Sequence, residues 1–591
     1  MAVPDVQGLH RKVLGATGQV TLLHLPSELG RQTGEETGIE GLADRYWIVG
    51  RMRLDDRESL RARLASRIGL DGAAVSDARL CLHAYAAWGE GCLEQLAGDF
   101  AFVLWDDARQ CLFAACDRLG KRTLFHARIG TLGVIGDSLD WIAQQGARQG
   151  GLDEYWVADF LTLSWSREFH RTVYRDVSRL PPAHGMVWSA AGAHLRRYWR
   201  LDVPEPLYLD RPGAYGERFR ALLALAVTDR LPCGKIGIAL SGGLDSTALA
   251  AAAVSCTSDP RRVVAYCEHY EDLMHIEEDR FAGMAARHLG IELRIERFDD
   301  MVYDPHWQSR GIRSAEPTPE ILNAHHVRDL NLGLARRATV WLEGEGPDNA
   351  LAFDRNAYLR WLVRRRSWRR VCGAVFDYAT VKGIRGWAET LHRRVVRMRE
   401  PVDAPAMPPW LNAAFVDRLR LVERCRDLGE GGDPSHPWHP SAMASFTSPI
   451  WRDGFAGYDF QESLAPVCWR HPFLDLRVLH FMLSVPPIPW GWKKDLMRKA
   501  MSGRLPKPVL ERPKTPLAVN PQAESIRRHG LPPFLGWAGV EGYVERRSMP
   551  APDAPAAVLM QSINAHVLDH WMASSPAAAP GPKLYTPVYC G

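Results

Sequence analysis

The residues best suited to chemistry lie in one short run, Ser241-Gly242-Gly243-Leu244-Asp245-Ser246-Thr247. An apolar stretch, Ile236 to Leu240, leads directly into it, and an alanine-rich segment follows, so the order predicted is strand, loop, helix. Such a loop suits a phosphate chain. Glycines let the backbone approach, and free N–H groups at a helix start meet negative charge. Leu240 to Thr247 are therefore the expected phosphate-binding residues, with the Ser241, Ser246 and Thr247 hydroxyls as added donors and Asp245 as a Mg²⁺ ligand. No Gly-Lys-Ser/Thr follows at the spacing of a Walker A loop.

Roughly a hundred residues later, Leu342-Glu343-Gly344-Glu345-Gly346-Pro347-Asp348-Asn349 follows the short apolar run Thr339–Leu342. In a parallel sheet the C-terminal ends of strands line the ligand crevice, so Asp348 is expected to face Asp245 and share the metal, with Gly344 and Gly346 beside the phosphates. Arg512-Pro513-Lys514-Thr515-Pro516-Leu517 places a lysine on a loop stiffened by two prolines, from which a cation can be aimed at developing charge. By spacing alone, a lone loop lysine reads as solvated.

These motifs resemble a family. Ser241–Thr247 has the pattern of the ATP pyrophosphatase loop. With Gly344-Glu-Gly-Pro-Asp348, Arg470-His-Pro-Phe-Leu-Asp475 and Arg512-Pro-Lys514 it resembles the synthetase domain of the asparagine synthetase superfamily. Leu96-Ala-Gly-Asp-Phe-Ala-Phe-Val-Leu-Trp-Asp106 and Asp117-Arg-Leu-Gly-Lys-Arg122 resemble that superfamily's glutaminase domain, an αββα fold. The resemblance implies an N-terminal degenerate glutaminase-like αββα sandwich (1–205) and a C-terminal ATP-pyrophosphatase parallel sheet with a helical extension (206–591). It also implies ATP and Mg²⁺ as cofactors. One departure stands out: the family's glutaminase uses an N-terminal cysteine, and the first cysteine here is Cys81. Without that nucleophile no acyl-enzyme forms and no ammonia is released, so the nitrogen is expected from an amine on the substrate.

Two branches of the superfamily lack the cysteine and close rings, the β-lactam synthetases and the lasso-peptide cyclases. Gly346-Pro-Asp-Asn-Ala-Leu351, Arg179-Leu-Pro-Pro-Ala-His184 and Val485-Pro-Pro-Ile-Pro-Trp490 are similar to the cyclases. That resemblance implies a macrolactam synthetase: it adenylates an Asp or Glu side chain of a ribosomal peptide, releasing pyrophosphate, and the peptide's N-terminal amine then displaces AMP. Asp245 and Asp348 would hold Mg²⁺, Lys514 would steady charge on the adenylate, and Glu345 stands where a proton-handling residue is expected. A small-molecule amide or β-lactam synthetase, or an ammonia-using asparagine synthetase, stands as the alternative. Implied partners are the precursor peptide, a leader-peptide protease and a leader-recognition protein.

The elements that must position these groups follow two rhythms. Before a Pro-rich boundary at 201–213, short alternating runs (Val20–Leu25, Tyr46–Gly50, Phe100–Trp105, Cys111–Ala115) read as strands, and Arg57–Ile68 and Ala73–Trp88 as helices. After it, Ala214–Leu231, Ile236–Leu240, Ser246–Ser255, Val263–Cys267 and Glu278–Leu289 alternate helix and strand, the pattern of a parallel sheet. Beyond residue 357 the pattern is mostly helical, and the tail from Ser574 reads as loosely ordered.

Composition narrows the field. The 591 residues are 46% hydrophobic and 24% charged with net charge +4, a globular balance that by itself calls for no nucleic-acid or membrane partner. Eleven scattered cysteines without a CxxC pair, and no apolar run long enough to span a bilayer, suit a cytoplasmic protein. The basic clusters Arg360–Arg370 and Arg393–Arg399 read as solvated helix faces rather than RNA or peptide docks. His325-His326 lacks a nearby Cys or acid at ligand spacing, and reads as structural or substrate-contacting.

Overall fold

The computed structural model describes residues 9–15, 20–68, 75–146, 150–273, 277–382, 407–429, 431–513, 519–574 and 588–590. The first half contributes β1 (His10–Leu14), β2 (Val20–His24), β3 (Glu36–Leu42), β4 (Tyr46–Leu54), β5 (Gly98–Asp106), β6 (Cys111–Cys116), β7 (Phe125–Ile129), β8 (Leu132–Gly136), β9 (Val177–Arg179), β10 (His184–Ser189) and β11 (Gly192–Arg197). They build two facing sheets. Alternation along β5 explains the layering: Ala101, Val103 and Trp105 enter the core between the sheets with Leu22, Ile135 and Met186. Phe100, Phe102 and Leu104 point the other way, under the helices Arg57–Ile68 and Asp77–Trp88. The helices Leu139–Gln144 and Glu154–Leu163 cover the opposite sheet through Ile142, Val157 and Phe160. The order helix, sheet, sheet, helix is the sandwich expected. The helix expected from Ala73 begins at Asp77, because Ser76 caps it by accepting from the Arg79 N–H.

The second half holds a parallel sheet in the order β14 (Glu292–Arg297), β13 (Val263–His269), β12 (Ile236–Ala239), β15 (Val340–Leu342), β16 (Cys468–Arg470). All four pairings are parallel. The chain leaves β12 to pair β13 on one side and later returns to pair β15 on the other, so the two chemistry-bearing loops open at the switch point. A last strand, β17 (Val588–Cys590), does not join this sheet. It inserts between β2 and β8, pairing Val588 with Leu22 and with Ile135. The division expected at 205/206 puts residues 588–590 with the second domain; their backbone pairs in the first, where β2 and β8 each offer an open edge. Among the described residues no helix is long and apolar enough to cross a membrane.

Buried ion pairs join the halves. Asp117 accepts from the Leu119, Lys121 and Arg122 N–H groups, and this tight turn directs Lys121 onto Asp99 within the first half and aims Arg122 across the interface. Arg122 meets Glu35 at 2.9 Å, Asp459 at 2.7 Å and Glu462 at 2.9 Å. Arg470 meets Glu35 at 2.7 Å, and Arg230 reaches Asp55 at 3.0 Å and Asp475 at 2.8 Å. Burial pushes the Glu35 carboxyl up, but Arg470 and Arg122 outweigh it and hold the group well below the usual carboxylate range. The Arg470–Asp475 motif is thus half interface and half support: Asp475 also caps the helix Leu476–Ser484 through the Arg477 N–H.

Candidate functional site

The loop after β12 is shaped by its glycines. Gly242 has φ +68°, and a Cβ there would stand 2.6 Å from the Ala282 nitrogen and from the Glu278 oxygen. Gly243 begins the helix Leu244–Ser255 with no side-chain cap, so no side chain of the cap residue takes up the first N–H groups. Leu240 is tied to the sheet by donating to the Tyr266 carbonyl. The hydroxyls divide their work. Ser246 Oγ accepts from the Ser241 N–H and lies 3.1 Å from Ser241 Oγ, closing the loop. Thr247, expected as a phosphate donor, is fully buried and donates to the Gly243 carbonyl at 2.8 Å, so its hydroxyl serves the helix rather than the crevice.

The second loop lies against the first. A Cβ on Gly344 would come within 3.2 Å of the Ser246 nitrogen and 3.3 Å of Asp245, so any other residue would have to push the first loop back by a few tenths of an ångström. Gly346, at φ +120°, seats the turn on Leu474 of the Arg470–Asp475 motif. Asn349 donates to Ser445 at 2.6 Å, which anchors the turn carrying Asp348.

Asp245 and Asp348 do meet, through a lysine that sequence reasoning left unassigned. Lys494 Nζ contacts Asp245 and lies 2.7 Å from Asp348 Oδ1. Lys493 and Lys494 both adopt left-handed backbone, φ 48° and 56°, a conformation that costs a non-glycine residue about 1–2 kcal/mol. Arg498 stabilises this turn by donating to the Lys493 carbonyl at 2.8 Å and to the Arg512 carbonyl at 3.0 Å. Arg512 in turn donates to the Ser241 carbonyl at 3.3 Å and lies over the Phe281 ring. The Arg-Pro-Lys motif therefore abuts the first loop as far as Pro513; Lys514 itself lies outside the described residues.

A second pair was also missed. Glu343, the residue before Gly344, accepts a hydrogen bond from Tyr458 of the helix Ile450–Leu464. Burial, then the neighbouring Glu345 and Glu268 charges, push its carboxyl up to about 7, against the lowering effect of the Tyr458 hydroxyl. Its side chain stays 29% exposed, open to the crevice. Glu268 at the end of β13 is likewise raised to about 7, by burial and then by Glu278. His471 stands 3.9 Å from Glu343, and burial keeps its imidazole neutral. Glu345, expected to handle protons, is exposed on the same loop. The only sequence mark on Lys494 is its place in the adjacent pair Lys493-Lys494, upstream of the Arg-Pro-Lys motif. Tyr458 carried none, since 115 residues separate it from Glu343.

The other signals resolve simply. The expectation that His325-His326 lacks a nearby acid does not hold: Asp329 stands one helical turn on, 3.7 Å from His325, and the buried Asp304, which pairs with Arg310 at 2.6 Å, lies near both rings. Arg360 to Arg370 span the helix Arg355–Arg364 and the start of the next, and Arg393–Arg399 lies outside the described residues.

Comparison with known proteins gives two family matches. A glutamine amidotransferase domain matches residues 43–199, and asparagine synthase matches residues 218–575. Asparagine synthetase [glutamine-hydrolyzing] 3 of Bacillus subtilis (strain 168) is 32% identical over 211 residues, covering 36% of this chain and 34% of that protein. The match thus spans about a third of that relative's length. Amidase chyE of Penicillium rubens is 26% identical over 483 residues, 73% of this chain and 70% of that protein. A solved structure of the allosteric regulatory enzyme of purine biosynthesis overlays 44% of this chain and 62% of its own at 13% identity, with a TM-score of 0.21, a likeness that carries no argument.

Proposed function

Because the chain belongs to the asparagine synthase family, we propose that it is an ATP-dependent, AMP-forming carbon–nitrogen ligase, and more narrowly the macrolactam synthetase of a lasso-peptide pathway. The observation that carries the ligase reading is one crevice holding both halves of such a reaction. Asp245, Lys494 and Asp348 are joined by ion pairs, and the loop that carries Asp348 also carries Glu343, paired with Tyr458.

The donor set fits Mg²⁺. Two carboxylates already gather around one cation, and Gly344 leaves their loops in contact where a side chain would part them. When bound, the metal supplies neutralising charge to the β- and γ-phosphates of ATP. Ser241 and the first N–H groups of the helix Leu244–Ser255 bind the pyrophosphate, and Lys494 places positive charge beside it; the resemblance of the Arg-Pro-Lys motif alone assigns Lys514 to steadying charge on the adenylate. A substrate Asp or Glu carboxylate attacks the α-phosphorus, forming the acyl-adenylate as pyrophosphate leaves. The peptide's N-terminal amine then attacks the acyl carbon; the C–N bond forms, the bond to AMP breaks, and the amine's proton passes to Glu343 Oε. A carboxyl that titrates near 7 is suited to this, since a base works best with its pKa near the operating pH. Tyr458 orients it.

The source of the nitrogen is supported by the first half. Cys81, Cys92, Cys111 and Cys116 are all buried, and burial pushes each thiol up, away from the thiolate an amidotransferase needs. An amine already on the substrate satisfies the chemistry, with the first half as a brace. The precursor peptide, its leader protease and its leader-recognition protein complete the proposed system.

The test is mass spectrometry of a leaderless candidate precursor peptide, incubated with the protein, ATP and Mg²⁺, with and without the partner protease. Loss of one water from the peptide, with AMP and pyrophosphate released and all three absent in Asp245→Ala, is the expected result. AMP without dehydrated peptide would identify a small-molecule ligase instead. The absence of both products, with folded protein and its partners present, would refute the proposal.

A further inference from the structure

The two halves enclose a cavity of about 640 Å³ that includes none of the crevice residues above. Close-packed interiors leave few voids larger than a water, whereas ligand sites run to about 300–1,000 Å³. The helix Ile450–Leu464 forms the wall between this cavity and the crevice, and its two faces are separate helical stripes. Phe455 and Tyr458 face inward, onto His471 and Glu343. Asp453, Gly457 and Phe460, spaced i, i+4 and i+7, line the cavity.

Resting on the macrolactam reading above, we propose that this cavity holds the part of the peptide substrate remote from the acylated carboxylate. The lining chemistry selects the occupant. Arg313 and Arg328 line it together with Asp140 and Asp453, so a polyanion or a polycation meets like charge. Trp156, Phe460 and Trp571 offer flat apolar surface, and Ser138 and Ser463 add hydroxyls. A hydrocarbon matches only the aromatic faces of this lining, whereas a peptide brings amide donors, carbonyl acceptors and side chains of either charge to the rest of it as well. The geometry permits one substrate to serve both places. A helix with its side chains is about 10–12 Å across, and an extended chain advances about 3.3 Å per residue, so several residues suffice to round it. A tail held there stays fixed while the ring closes on the far side of the helix, and a precursor that must be cyclised around its own tail requires that.

Gly457 gives a clean perturbation. A Cβ there has Glu320 Cγ, 3.8 Å away, as its nearest neighbour, an ordinary contact, so the position takes alanine without a clash, while the bulk of a phenylalanine must spread over Glu320 and the cavity wall that Gly457 forms. The experiment compares Gly457→Phe and Gly457→Ala in the full chain, using the leaderless precursor peptide and a version shortened at its C-terminal end. We expect Gly457→Phe to raise KM for the full peptide about tenfold or more, with kcat and the KM for ATP held. The shortened peptide, whose KM is already raised in the wild type, loses much less, and Gly457→Ala stays near wild type. An unchanged KM for the full peptide in Gly457→Phe would overturn the proposal, as would an equal loss for both peptides, which would mark a distorted crevice. If the wild type cyclises no peptide but releases AMP with a small acid, the macrolactam reading fails and this one with it.

Discussion

Replacing Tyr458 with phenylalanine tests whether Glu343 is the base. The tyrosine hydroxyl donates to the Glu343 carboxylate and so favours its ionised form, pulling the pKa down against the burial that sets it at about 7. Hydrogen bonds to charged groups contribute about 1.5–3 kcal/mol, and 1.36 kcal/mol corresponds to one pK unit, so losing this one moves the titration up by about one to two units. With 29% of the side chain open to solvent, screening favours the lower end, about one unit. A base must be ionised to act, so the rate of ring closure rises with pH through this pKa. In Tyr458→Phe that limb moves to higher pH. The rate at neutral pH falls about fivefold, as the ionised fraction drops from about one half to about one tenth, while the alkaline plateau is kept. The assay is single-turnover formation of cyclised peptide from mildly acidic to alkaline pH, with pyrophosphate release followed in parallel. Pyrophosphate leaves before the proton is taken, so its profile stays in place. A limb that does not move, or moves toward acid, would refute the assignment; a uniform loss at every pH would mean the tyrosine only holds the fold.

Two further outcomes are expected. Lys494→Met removes the cation shared by Asp245 and Asp348, and pyrophosphate release should fall by about 10²–10³, the usual cost of one electrostatic contact to a developing charge. Arg122→Met leaves Asp459 and Glu462 buried with less compensation, and denaturant unfolding should show a loss of about 3–5 kcal/mol; a loss under 1 kcal/mol would show that water or Arg51 takes over.

Local chemistry was legible in the sequence where the chain itself carries it. The β12 loop, the helix after it and the parallel strands on either side announce themselves through glycine placement and apolar runs, and the expected bounds of Arg57–Ile68 match the helix found. Asp245 and Asp348 could be paired in advance because both sit at strand ends of one sheet. What sequence could not show was side-chain partnership across long separations. Tyr458 looks like any tyrosine on an amphipathic helix until the fold sets it on Glu343, and Glu343 reads as a solvated turn residue until burial raises its pKa. Thr247 misled for the opposite reason: at a helix's first turn its hydroxyl can face either the ligand or the backbone, and residue type does not decide which.

The strand Val588–Cys590 has a consequence for how the protein is made. Domains usually fold in the order they leave the ribosome, the first complete before the second emerges. Here β2 and β8 are finished early, but the strand that belongs between them is translated only after the whole synthetase half. Until then the nascent sandwich has two facing open strand edges, the kind of surface that recruits other chains. Expression at low temperature, or with chaperones that shield such edges, should therefore improve yield more than it would for a sandwich closed by its own strands. An affinity tag belongs on the N-terminal side, and a truncation at Ser574 should give soluble protein only poorly even though it leaves every crevice residue in place.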